Sequence, residues 1–168
     1  MKKLSMSGQK FLKAIHLIAV GLWLSCVIVL LVMPVIARQI VTGEELYMYN
    51  IVYHFIDMYI LTPAAIVTLC TGIVYSLFTK WGFFKHGWLV YKWIATLAII
   101  ISGTFYLGPM VTKMLAITDL KRLGALSDTY YLQGVTVGIW AAIINTLLLL
   151  VAVFFSVYKP WKNIKKIG

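Results

Sequence analysis

Hydrophobic residues fall in four long runs, separated by short clusters of charged and turn-forming residues. Between Lys13 and Arg38 lie 24 uncharged residues, between Asp57 and Lys80 there are 22, between Lys92 and Lys113 there are 20, and between Asp128 and Lys159 there are 30. A hydrocarbon core about 30 Å thick is crossed by about 20 apolar residues at about 1.5 Å each, so every run is long enough. None alternates as a barrel wall does, and a lipid-exposed backbone must satisfy its own polar groups, which predicts helices. The expected fold is an all-α membrane four-helix bundle in a single domain, with spans near 12–36, 53–78, 87–108 and 130–158.

Composition strengthens this reading. The 168 residues are 62% hydrophobic and 12% charged, against about 25% charged in an ordinary soluble domain, which excludes a water-coated globule. The net charge of +10 is distributed as topology signals are. Lys2, Lys3, Lys10, Lys13, Lys80, Lys85, Lys92, Lys159, Lys162, Lys165 and Lys166 fall on one side of the spans, and Arg38, Lys113, Lys121 and Arg122 on the other. Cations accumulate on the cytoplasmic side, so both termini are expected there, with Glu44, Glu45, Asp57, Asp119 and Asp128 on the outer side. Attraction to an anionic leaflet accounts for the basic pI without a nucleic-acid partner. Trp81, Trp88, Trp93 and Trp161 are expected as an inner aromatic belt, and Tyr47, Tyr49, Tyr53, Tyr130 and Tyr131 as an outer one. The first span exceeds a signal-peptide core and is expected to stay in the mature chain.

Three local features bear on packing. Met110, Met114, Ile117 and Leu120 recur at helical spacing, so Pro109–Ser127 either continues the third helix outward or lies along the surface. Gly134 and Gly138, and Gly21 with Ser25, are pairs of small residues four apart that permit close helix approach. Pro63 is expected to kink the second helix and free a carbonyl.

The chemistry available within the spans is short: His16, His54, Asp57 and Lys92, with thiols at Cys26 and Cys70. An ionisable group in a span is costly and usually meets a partner. His16 lies one turn beyond Lys13 on a stripe with Leu12, Ala19, Val20 and Trp23, and Gly21 close by leaves room for a flat ligand. Two readings stand: an axial ligand to haem iron, or an interfacial imidazole bonded to a carbonyl or headgroup. Lys92, at nearly the same depth, either snorkels to headgroups or pairs with a porphyrin propionate, assisted by Lys13, Lys85 and His86. His54 and Asp57 share a helix face, where the carboxylate either orients a metal-ligating imidazole or forms a surface pair.

His16 and His54 sit near opposite interfaces and are too far apart for one iron. His16 would be partnered by His86 or stay five-coordinate, and His54 by Met110 or Met114. The cysteines show no zinc-like spacing and read as isolated thiols. No motif for phosphoryl transfer, serine hydrolysis or zinc proteolysis occurs, and no C-x-x-C-H for covalent haem.

These residues also carry a resemblance. The segment Phe11-Leu12-Lys13-Ala14-Ile15-His16, continuing to Gly21-Leu22-Trp23, resembles the first helix of several small bacterial haem-associated membrane families. They are the oxygen-independent protoporphyrinogen oxidases, the copper-resistance D proteins and a set of predicted four-helix membrane proteins. Thr71-Gly72, Trp88 with Lys92, and Gly108-Pro109 extend the similarity over most of the chain. In the oxidase a first-helix histidine is implicated in haem b binding and a third-helix lysine in function, which corresponds to His16 and Lys92. The sequence departs from the oxidase in having no histidine after Lys92 and no Asn-Glu-x-Pro element. It is closer to the small haem-sensing membrane proteins of Gram-positive bacteria, implicated in haem capture and tolerance.

The resemblance implies a multi-pass protein of the bacterial cytoplasmic membrane that binds haem b non-covalently. His16 and His54 are the candidate iron ligands, and Lys92, His86 and Trp23 the further candidate cofactor-binding residues. Its expected role is haem capture and tolerance or haem-linked redox protection. One alternative is a haem oxidoreductase acting on quinone, superoxide or a porphyrinogen; the other is a haem-free helper or transporter subunit. A homo-oligomer and a quinone are further candidate partners.

Overall fold

The computed structural model describes residues 4–79 and 82–161. Lys2, Lys3, Lys80, Trp81, Lys162, Lys165 and Lys166 lie outside the described residues. Six α-helices occur among those described: α1 (Met6–Ala37), α2 (Gly43–Phe55), α3 (Thr62–Phe78), α4 (Gly87–Ser102), α5 (Gly108–Lys121) and α6 (Thr129–Tyr158). A π turn over Ile56–Leu61 fuses α2 to α3, and another over Gly103–Leu107 fuses α4 to α5. A 3₁₀ segment, Arg122–Ser127, follows α5. Four long helices result: Met6–Ala37, Gly43–Phe78, Gly87–Ser127 and Thr129–Tyr158, each long and apolar enough to cross a membrane.

The helices reach further than the expected spans. The second begins ten residues earlier, at Gly43 rather than 53, because Thr42 and Glu45 form a capping box. Glu45 Oε2 accepts from the Val41 and Thr42 N–H groups at 2.8 and 2.9 Å, and Thr42 Oγ1 accepts from Glu45 N–H at 3.2 Å. The third continues outward through Pro109 to Lys121, which decides between the two expectations for that stretch. Pro63 and Pro109 each follow a π turn by two residues. A proline cannot donate to the carbonyl four residues back, so the chain widens by one residue instead of breaking.

Leu4 N–H donates to Phe78 O at 3.3 Å and Gly87 N–H to Trp161 O at 3.2 Å, so the first and last described residues share one end of the bundle, the terminal end. At the opposite end Arg122 clamps the second helix to the third. It pairs with Glu44 and Asp119, each at 3.2 Å, and its guanidinium lies 4.2 Å from the Tyr47 ring. A Cβ at Gly43 would meet Arg122 Cβ at 2.6 Å, so the close approach needs glycine there.

α1 packs along α3 and α6, α4 along α6, and α2 along α5. A central core gathers Trp23, Val27, Ala64, Ala65, Ile99 and Leu149; a second, nearer the opposite end, gathers Leu46, Met110, Met114, Ala125 and Tyr131. Outward faces are apolar, as Ile18, Ile94, Phe105, Trp140 and Val157 illustrate.

Several packing expectations are corrected. Gly21 is exposed and a Cβ there would meet nothing, so the Gly21–Ser25 pair brings no helix close. Gly134 is the small residue that matters, buried against Met114. Tyr131 and Trp88, expected in the aromatic belts, are buried within the bundle; Tyr131 accepts a 3.0 Å hydrogen bond from the buried amide of Asn50.

Candidate functional site

Residues Ala19, Trp23, Cys26, Val27, Leu30 and Met33 form the buried stripe of α1, and His16 continues it toward the terminal end. Facing it, α3 presents Thr68 and Thr71, both buried. His16 Nδ1 lies 2.8 Å from Thr71 Oγ1. The Thr71 hydroxyl donates to the Val67 carbonyl at 2.6 Å, so its oxygen receives the proton of His16 Nδ1–H. In that arrangement the ring carries its proton on Nδ1, and the Thr68 backbone is a further hydrogen-bond partner of the imidazole. Thr68 Oγ1, one turn away, is buried without a hydrogen-bond partner among the described residues.

Across the bundle, Lys92 Nζ donates to Ser156 Oγ of α6 at 2.8 Å and lies 5.5 Å from the Trp88 ring centre. Ser156 in turn donates to the Ala152 carbonyl at 2.8 Å. Lys92 lies within electrostatic range of His16. His86 precedes α4 and stacks on Trp88, with ring centres 6.2 Å apart.

The remaining candidates separate from this pair. His54 Nε2 lies 3.2 Å from Thr112 Oγ1 on α5. His54 and Thr71 are seventeen residues apart on one continuous helix, about 25 Å, so His16 and His54 do not share a site. The expected His54–Asp57 pair is not made, because the π turn beginning at Ile56 turns Asp57 into the bundle while His54 faces α5. Met110 and Met114 are not partners for His54 either. They lie in the core, nearly opposite Thr112 around α5.

Trp23 lies two turns beyond His16 on the same face of α1 and is 1% exposed. It borders a cavity of about 80 Å³ at the bundle centre, with Tyr53, Asp57, Thr62, Thr104 and Asn145 as its other polar lining residues. The cavity is too small for haem. Cys26 is buried and Cys70 exposed, both as free thiols. Among the described residues no three His, Cys, Asp or Glu side chains gather as a metal cage would require.

Thr71 was visible only as part of a Thr-Gly pair, and Ser156, Asn50 and Asn145 gave no signal in the sequence. Each is a small polar residue whose role comes from a partner more than fifty positions away or from a cavity that only the folded bundle encloses. Comparisons with protein-family models, with curated proteins and with solved structures found no match.

Proposed function

We propose that this is a multi-pass protein of the bacterial cytoplasmic membrane, with both termini on the cytoplasmic side, that binds haem b non-covalently for haem capture and tolerance or haem-linked redox protection. The membrane reading is supported by four helices of sufficient length with apolar outward faces. The orientation is supported by the sequence's split of cations, eleven on the side of the termini against four on the other; Lys10, Lys13, Lys85, Lys92 and Lys159 are the described members of the larger group.

The observation that carries the haem reading is the bond from His16 Nδ1–H to Thr71 Oγ1. Histidines that hold a metal usually donate their other ring N–H to an acceptor that fixes the tautomer, and Thr71, placed to accept from Nδ1–H, would leave Nε2 to the iron. One neutral imidazole suits a single axial bond to haem iron, whereas a bare ion would need ligands that are not gathered among the described residues. Lys92, half-buried and within electrostatic range of His16, would supply the cation for a propionate. Haem would bring a redox-active iron; the chain would position it and keep its apolar rim from water.

Absorption spectra of detergent-purified, haem-supplemented wild type beside His16→Ala, His54→Ala and His86→Ala test the proposal. Loss or a large shift of the Soret band in His16→Ala alone is expected. An unchanged band in His16→Ala, with loss in His54→Ala, moves the site to the opposite end. Wild type that stays colourless overturns the haem reading in favour of a haem-free helper.

A further inference from the structure

An open groove of about 540 Å³ runs between the third and fourth long helices, on their outward flank. Phe105, Tyr106 and Pro109 form one wall, and Leu132, Thr136 and Val137 the other; no acid lines it. Its polar groups gather toward the end opposite the termini. Lys113, one turn beyond Pro109, places Nζ 3.9 Å from the centre of the Tyr130 ring, which itself borders the groove. The ring holds the ammonium by its quadrupole and leaves the positive charge uncompensated. At the same end Lys121 and Arg122 are paired with carboxylates, whereas Lys113 makes no ion pair among the described residues. Gln133, one turn further along α6 than Tyr130, is exposed, and its amide has no hydrogen-bond partner among the described residues. Beyond it the walls are mainly apolar, the Thr136 hydroxyl being spent on the Leu132 carbonyl at 3.1 Å. From Lys113 to Phe105 is eight residues, about 12 Å along the helix, against about 15 Å for the hydrocarbon depth of one leaflet.

Cation, amide and apolar channel thus follow one another in the order of phosphate, ester and acyl chain in a phospholipid. We propose that the groove seats one anionic phospholipid of the leaflet opposite the termini, with its phosphate on Lys113, an ester carbonyl accepting from the Gln133 amide and an acyl chain lying along Phe105 and Val137. A soluble anion would leave the apolar walls without a partner. A second copy of the chain docked about a two-fold axis would set groove against groove, bringing Lys113 toward its equivalent with no acid in either lining to receive it. The site rests on the membrane reading above and uses neither His16 nor Lys92. A seated lipid differs from the lipid that covers every outward face in two ways: it stays through detergent extraction, and it discriminates headgroup charge.

Intact-mass measurement of detergent-purified protein titrated with dioleoyl phosphatidylglycerol and, separately, with dioleoyl phosphatidylcholine tests the site. Wild type is expected to retain one phosphatidylglycerol per chain in preference to phosphatidylcholine. Lys113→Met keeps the stem and removes the charge, and should weaken phosphatidylglycerol about fivefold, the worth of one cation at an anionic membrane surface. Lys121→Met removes a paired cation from the same end and should retain lipid as wild type does. Thr136→Trp fills the groove from an exposed position and should abolish retention of both lipids. If that variant does not fold, Lys113→Glu should reverse the preference in its place. Wild type that retains phosphatidylglycerol no better than Lys113→Met overturns the proposal, and lipid-free dimers that Thr136→Trp dissociates overturn it in favour of a second copy. Flotation with phosphatidylcholine vesicles separates the two readings. Wild type that does not float overturns the membrane reading and the site together, whereas wild type that floats but retains no lipid in detergent overturns the site alone.

Discussion

His16 Nδ1 and Thr71 Oγ1 stand 2.8 Å apart, joining the first helix to the second through a hydroxyl whose own proton is already given to Val67. A threonine so engaged is placed to accept from the ring N–H, which favours the tautomer that keeps its lone pair on Nε2.

Thr71→Val should therefore weaken haem binding without removing the iron ligand. Valine keeps the shape and deletes the acceptor, so the Nδ1 proton is no longer held. Outer partners of metal-bound histidines are worth about 10- to 100-fold in affinity, and a haem titration followed by absorbance should show a loss in that range. Thr71→Ser should restore most of it. Equal affinity in wild type and Thr71→Val would mean that the tautomer has no bearing on binding.

Lys92 and Ser156 make an asymmetric pair. Removing the acceptor with Ser156→Ala leaves a half-buried ammonium short of a partner, whereas Lys92→Met removes the charge together with its need. In detergent, Ser156→Ala is expected to lower stability by about 1–2 kcal/mol and Lys92→Met by less, after allowing for partial exposure. Haem affinity should show the reverse order, with Lys92→Met the weaker binder. The same order in both measurements would deny Lys92 a role beyond packing.

A Cβ at Gly134 would lie 2.5 Å from Met114 Sδ and 3.0 Å from its Cγ. Gly134→Leu should then destabilise the bundle by about 1–3 kcal/mol through overpacking. Met114→Ala should relieve part of that cost in the double variant, since it vacates the space the new side chain needs. Thermal unfolding of the four proteins gives the coupling, and strict additivity would place the contact elsewhere. Gly21→Leu, on an open face, should leave stability nearly unchanged.

Much of the bundle was legible because charge-free runs bound membrane-length helices directly, and Lys13, Arg38, Asp128 and Lys159 lie close to their ends. The π turns were not legible, since Pro63 and Pro109 announce a disturbed backbone without saying whether it kinks or widens. That extra residue is why the periodicity linking His54 to Asp57 failed. Glycine spacing was equally ambiguous, as Gly21 and Gly134 both sit in small-residue pairs and only Gly134 meets a neighbour. At the candidate site, the ionisable residues could be found by their cost in a span, but Thr71 and Ser156 are common in helices and acquire meaning only through long-range contacts.

Asp128 offers a pH-dependent test of the end opposite the termini. It caps α6, with its carboxylate accepting from Lys121 Nζ at 2.6 Å and from the Tyr130 and Tyr131 N–H groups at 2.9 and 3.1 Å. The Lys121 hydrogen bond, followed by that from Tyr131, holds this carboxyl below the usual range. Because the folded value is depressed, the stabilisation is complete above the unfolded value of about 3.9 and is lost as pH falls through the lower folded one. Asp128→Asn retains a competent cap but not the charge. The difference in unfolding temperature between wild type and Asp128→Asn should be constant at about neutral pH and shrink as the medium is acidified below about pH 4. Lys121→Met should remove much of this pH dependence, and a difference that grew on acidification would reverse the assigned sign.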